Sequence, residues 1–231
     1  MGRLRSLLTL CALAVQLLTL TACFRPDPER FDAEIRAWEE QDRESPPPRG
    51  AIVFVGSSSI QIWDSLALDM APLTVIRRGL GGSWMRDAVH YAGRIVTAYE
   101  PRAVVLYEGD DDIGVGHLYP RNLLTDYHAF VDRVHADLPA ARIYFLAIKP
   151  SIARWIRWDS MAEANALIKA ATEKDERLFF IDVATPLLGP RGGPPPESLF
   201  IEDKLHLTPE GYAIWTDIVR PFLYEHELTY E

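Results

Sequence analysis

Cysteine is almost missing from this chain of 231 residues: there are two, Cys11 and Cys23, both close to the start. A fold built on disulfides, or a metal site built on thiolates, has no material to work with. Positive charge is also short, with 24 Lys and Arg against 33 Asp and Glu, a formal net charge of -9. An acidic surface repels phosphate backbones, which excludes nucleic acid as a partner. The longest apolar run, Leu7 to Leu20, is shorter than the roughly 20 residues of a membrane span. No Gly-x-Gly-x-x-Gly or phosphate loop follows the first strand pattern, no zinc-ligand spacing appears among the six histidines, and no internal repeat is present. What remains, 48% hydrophobic and 25% charged residues, suits one globular domain with a full core.

The N-terminus has the layout of an export signal. Arg3 and Arg5 precede the apolar run, and small residues lead up to Cys23. Leu20-Thr21-Ala22-Cys23 resembles the lipobox of bacterial lipoproteins, which implies cleavage after residue 22 and a lipid on Cys23. Phe24 after the cysteine is similar to cargo sent to the outer membrane. The expectation is therefore a signal peptide over 1–22 and a protein of the bacterial cell envelope, held to the periplasmic side of the outer membrane by its lipid. Loss of the two leader arginines takes the charge from -9 to -11. Residues 23–49 read as a tether, with a short helical pattern at Phe31, Ile35 and Trp38 and a stiff spacer at Ser45-Pro46-Pro47-Pro48. A packed helix in this segment is equally compatible.

From residue 50 to about 225, apolar β-branched runs alternate with helical patterns. Ala51 to Val55, Leu73 to Ile76, Ala103 to Tyr107, Ile143 to Ile148 and Leu178 to Ile181 predict strands. Trp84 to Tyr99, Asn122 to Asp137, Ser160 to Lys174 and Pro209 to Leu223 predict helices. The expected fold is doubly wound α/β with a five-stranded parallel sheet, and ligands bind such sheets beyond the carboxyl ends of the strands.

Those ends carry Gly56-Ser57-Ser58-Ser59, Gly79-Leu80-Gly81-Gly82-Ser83 and Gly109-Asp110-Asp111-Asp112, and Asp203-Lys204-Leu205-His206 follows near the C-terminus. Singly, each is an ordinary cap or turn. In this order they resemble the SGNH/GDSL hydrolases, esterases and acylhydrolases with a flavodoxin-like three-layer α/β/α fold, over residues 50 to 223. Phe54 to Trp63 is similar to a variant first block in which Ser replaces the Asp before the nucleophile. The resemblance implies Ser58 as nucleophile and an oxyanion hole from the N–H groups of Ser58 and Gly82 with the side chain at position 111. It implies no metal or other cofactor. The absence of a Gly-x-Ser-x-Gly elbow argues against an α/β-hydrolase. The chemistry fits the residue types: a serine hydroxyl needs a base, neutral imidazole serves at His206, and Asp203 three residues earlier is placed to orient it. Of the remaining histidines, His117 lies nearest the expected site.

Position 111 departs from the pattern. The family's Gly-x-Asn-Asp becomes Gly109-Asp110-Asp111-Asp112, so a carboxylate stands where an amide donor belongs. Loss of such a donor costs roughly 100- to 1000-fold in turnover. Asp111 is expected to be protonated, to impair or repurpose the site, or to be neutralised by a basic partner. Arg77, about 10 Å away across strand one, is the partner the strand spacing offers. On this basis Asp111→Asn is expected to raise turnover. Asp110 and Asp112 read as turn residues and caps; a calcium-type site from all three acids needs further oxygen ligands. Lys149-Pro150-Ser151, Trp155 and Trp158 are expected to wall the pocket, with Arg154 open to an anionic or sugar-like group and Arg77 and Trp155 as substrate-binding residues. The expected function is a membrane-tethered serine esterase for small acyl or acetyl esters, with a small-molecule or glycan ester as substrate. The alternative is a non-catalytic binding domain that kept the pocket. The number of copies that assemble leaves no trace in the sequence.

Overall fold

The structure is a computed structural model that describes residues 27–231. The expected leader 1–22, Cys23 and Phe24 lie outside the described residues. One compact unit runs from Phe31 to Glu231. Among the described residues no helix is long and apolar enough to cross a membrane.

Helix α1 (Asp32–Glu44) opens this unit. Phe31 and Ile35 are buried in the core with Trp38 packed beside them, and Asp42 receives the guanidinium of Arg78 at 2.7 Å. The domain boundary expected at residue 50 therefore moves to Phe31, because the apolar stripe of α1 has a core to cover. The triple proline lies inside the domain, between α1 and the first strand.

The sheet consists of β1 (Ile52–Gly56), β2 (Val75–Gly79), β3 (Ala103–Tyr107), β4 (Arg142–Leu146) and β5 (Leu178–Ile181) in the order β2-β1-β3-β4-β5. All four pairings are parallel. Alternation along the strands sends Val53, Val55, Val104, Leu106 and Phe145 to one face. There they meet α4 (Met85–Ile95), α6 (Pro120–Asp137) and α7 (Trp158–Thr172) through Ala88, Tyr127 and Met161. Phe54, Val105, Tyr107 and Leu146 point to the other face, against α8 (Pro209–Glu227) and the turns α2 (Ser58–Gln61) and α3 (Leu66–Asp69). Each fully buried side chain of this kind contributes about 1.5–3 kcal/mol, so the three α/β/α layers are held by apolar burial on both faces of the sheet.

Strand β2 starts two residues later and ends three residues later than predicted: Val75–Gly79 replaces Leu73–Ile76, which brings Arg77 and Arg78 into the strand. It is an edge strand, and Arg77 is exposed there, as charges on unpaired edges commonly are. Parallel pairing collects the carboxyl ends of all five strands on one side of the sheet, and the predicted motifs emerge there.

Candidate active site

Strand β1 ends in a glycine that nothing else could replace. A Cβ on Gly56 would stand 2.2 Å from the carbonyl oxygen of Tyr107, and its φ is +154°. This close approach lets Ser57 N–H donate to Tyr107 C=O at 3.1 Å, and the chain turns at once into α2. Ser57 and Ser59 are buried while Ser58, the first residue of α2, is partly exposed. Tyr212 of α8 fixes the turn from below by donating its hydroxyl to Ser59 C=O at 2.8 Å, and its ring stacks on Trp63 with centroids 5.2 Å apart.

The second part comes from the loop before α8. Ile201 N–H donates to His206 C=O at 2.9 Å, and Phe200 bridges to Leu207, so the loop closes on itself. Thr208 then caps α8, accepting from Gly211 N–H at 3.3 Å. Within the loop, Asp203 Oδ1 accepts the N–H groups of Leu205 (2.9 Å) and His206 (3.0 Å). Its Oδ2 lies 2.5 Å from His206 Nδ1, and His206 Nε2 lies 2.7 Å from Ser58 Oγ. Burial pushes the Asp203 carboxyl up, but the hydrogen bonds from the His206 ring and from the two N–H groups outweigh it and hold it at about 2. An ionised Asp203 accepts the Nδ1 proton, which leaves Nε2 as the acceptor facing the serine hydroxyl. The structure thus brings Ser58, His206 and Asp203 into one line of hydrogen bonds across 148 residues of sequence.

Gly82 lies in the loop from β2 to α4, exposed and with φ +76°. A Cβ there meets nothing within 4 Å, so the glycine answers a backbone need and not a lack of space. Two buried acids from the end of β3 pin this loop. Glu108 accepts the Ser83 hydroxyl at 2.5 Å, and Asp112 receives Met85 N–H at 3.1 Å, at the start of α4. Burial pushes Glu108 well above the usual carboxylate range, with the Asp112 charge adding to it. Burial likewise raises Asp112 to about 7, against the lowering effect of the Met85 N–H. Neither bond was signalled by the sequence beyond one oddity, a glutamate closing an apolar strand.

The acid run does not converge on one centre. Residues Asp110–Gly114 form a short helix, α5, instead of an open turn. Asp110 is buried and takes Lys149 Nζ at 2.7 Å and Arg154 Nη1 at 2.6 Å. Its burial favours protonation, yet the two cations prevail and hold it at about 2. The reading of Asp110 and Asp112 as local turn residues and caps is corrected accordingly: Asp110 is ion-paired, and Asp112 sits inside α5 with its carboxylate accepting Met85 N–H of α4. Asp111 meets Arg154 Nη2 at 2.6 Å. Arg77 does not pair with it: its guanidinium donates to the exposed Asp64 at 2.9 Å. The expected Arg77–Asp111 pair is thus replaced by Arg154–Asp111. Arg154 is correspondingly engaged by two carboxylates and does not stand open to an anionic ligand. Trp155 stacks on Trp158, with centroids 6.2 Å apart and planes at 12°, both partly exposed. Ala153 N–H donates to Lys204 C=O at 3.0 Å, which ties this segment to the His206 loop. His117 contacts Arg157 at the end of the same segment.

Solved structures with the same fold include a Streptococcus pneumonia protein named after platelet activating factor (TM-score 0.74, 21% identity, covering 92% of this chain and 99% of that one). A GDSL-like lipase from Bacteroides thetaiotaomicron follows (TM-score 0.70, 16% identity, 84% and 98%). A carbohydrate esterase family 3 protein from Talaromyces cellulolyticus is also similar (TM-score 0.59, 15% identity, 76% and 97%). At these identities the likeness is one of fold. No curated protein matches the chain. The model of one family matches residues 55–214, from the end of β1 into α8 and so across the serine turn, the acid run and the histidine loop. With that match over more than half its length, the chain belongs to the GDSL-like lipase/acylhydrolase family.

Proposed function

We propose that this protein is a serine esterase of the bacterial cell envelope that removes small acyl groups, acetyl among them, from a small-molecule or glycan ester. The observation that carries the proposal is the 2.7 Å contact from His206 Nε2 to Ser58 Oγ, backed by Asp203 at 2.5 Å from Nδ1. In the proposed reaction His206 takes the hydroxyl proton as Ser58 Oγ bonds to the ester carbonyl carbon. Asp203 holds the imidazole in the correct tautomer and stabilises the imidazolium. The oxyanion is received by the N–H groups of Ser58, at the start of α2, and of Gly82. Collapse of the tetrahedral adduct expels the alcohol, which takes the proton from Nε2 and leaves an acyl-serine. Water, deprotonated by His206, then releases the acid and restores the hydroxyl.

An acetylated sugar as substrate accords with the carbohydrate esterase among the similar folds. Trp155, in the segment bonded to the His206 loop, is the proposed wall for the sugar or acyl group, and Arg77 contributes only if Asp64 releases it. The envelope location rests on the leader and on Cys23 in the sequence. The test is acetate release from a panel of acetylated glycans and short-chain nitrophenyl esters by the wild type and Ser58→Ala. Turnover confined to the wild type supports the esterase. A folded wild type that hydrolyses nothing in the panel supports the non-catalytic binding domain instead.

A further inference from the structure

The carboxylate at position 111 poses a charge problem for any reaction that builds an oxyanion at this end of the sheet. Asp111 leaves the end of β3, and Ser58 leaves the adjacent end of β1, where Gly56 pairs with Tyr107. An unpaired carboxylate there would repel a second negative charge. The structure supplies one cation for it among the described residues. Arg154 spans Asp110 and Asp111 with its two terminal nitrogens, 2.6 Å each, while Lys149 takes the other oxygen of Asp110 at 2.7 Å. The side chains of Lys149, Asp110, Asp111 and Arg154 are 0, 4, 11 and 14% exposed, so water screens the cluster little. Two cations balance two anions. Asp110 keeps Lys149 if Arg154 is lost, but Asp111 then has no cation partner among the described residues. Arg154 is itself held in place: its N–H donates to Ser151 Oγ at 3.2 Å, and the preceding residue is bonded to Lys204 in the His206 loop.

We propose that Arg154 is a positioning residue for the reaction, acting through Asp111: it cancels that charge and so allows the site to hold the oxyanion. The inference rests on the esterase reading above. It also changes the expectation for Asp111→Asn, because a carboxylate already neutralised is not a severe handicap.

The test is a double-substitution cycle of wild type, Arg154→Met, Asp111→Asn and the pair, measured by kcat and KM on a nitrophenyl ester, with melting curves to verify folding. Arg154→Met should lower kcat about 100-fold or more with KM little changed, the size of effect seen when oxyanion stabilisation is lost. Asp111→Asn alone should stay within about tenfold of wild type. Combined, the two should recover at least about tenfold of the Arg154→Met loss, since removing the orphaned charge removes its harm. A role in packing alone predicts no such rescue. A folded double variant as slow as Arg154→Met overturns the inference, as does an Arg154→Met enzyme as fast as wild type. Should Arg154→Met not fold, Arg154→Gln is taken through the same cycle with the same outcomes. A wild type without turnover would instead overturn the esterase reading, and this inference with it.

Discussion

Asp203→Asn isolates the tautomer of His206 from the shape of the loop. The carboxylate accepts Leu205 and His206 N–H on Oδ1, at 2.9 and 3.0 Å, and faces Nδ1 with Oδ2 at 2.5 Å. In the variant only the amide oxygen can accept the two backbone donors, so the loop survives and the NH2 group is turned toward Nδ1. An NH2 group there requires an acceptor. The ring proton must move to Nε2, which then donates to Ser58 Oγ instead of accepting from it. The hydroxyl loses its base without any loss of packing. A wrong tautomer of this kind costs about 10⁴ in kcat, which at 1.36 kcal/mol per decade is about 5 kcal/mol of barrier. The assay is kcat and KM on a nitrophenyl ester from pH 5 to 9, with KM expected to stay near wild type. Because Asp203 sits at about 2, it remains ionised throughout that range, and the stability it contributes above the ordinary carboxylate value is lost only as pH falls toward 2. An acid limb of wild-type activity between pH 5 and 9 therefore does not report Asp203. A folded Asp203→Asn protein within about tenfold of wild-type kcat would refute this reasoning.

Asp112, raised to about 7 by burial, favours the fold most below the unfolded carboxylate value and loses that contribution as pH climbs to and through 7. Melting temperatures at pH 5 and pH 8 should therefore fall more for wild type than for Asp112→Asn, and equal falls would argue against a raised Asp112. Gly56→Ala forces a methyl against the Tyr107 carbonyl 2.2 Å away. It should cost about 4 kcal/mol or more, read as a melting point lowered by about 10 °C or as insoluble protein; a melting point within about 2 °C of wild type would contradict the close approach. Arg77→Ala removes only an exposed pair with Asp64 and should cost under about 1 kcal/mol; a loss comparable to Gly56→Ala would mean that Arg77 holds more than Asp64.

The central strands were legible because strands buried on both faces read as continuous apolar runs, and the helices because their apolar residues recur at helical spacing. Strand β2 was framed too early because an edge strand carries charge, and Arg77-Arg78 read as its end. The stripe of Phe31, Ile35 and Trp38 announced a helix, but what it covers depends on chain far away in sequence. At the site, Ser58, Asp203 and His206 each sit in a short local motif at a strand end or helix entry, and local motifs survive in sequence. The partner of Asp111 does not, since Arg154 is 43 residues away and faces it only after β3 and β4 pair. The Glu108–Ser83 bond, 25 residues apart and joining two loops, was hidden for the same reason.

The most direct test of the account is covalent labelling with a fluorophosphonate, followed by peptide mass analysis of wild type and His206→Ala. An activated serine should take one label, on Ser58, and His206→Ala should lose it while remaining folded. A folded wild type that stays unlabelled, or that is labelled at another residue, would contradict the account.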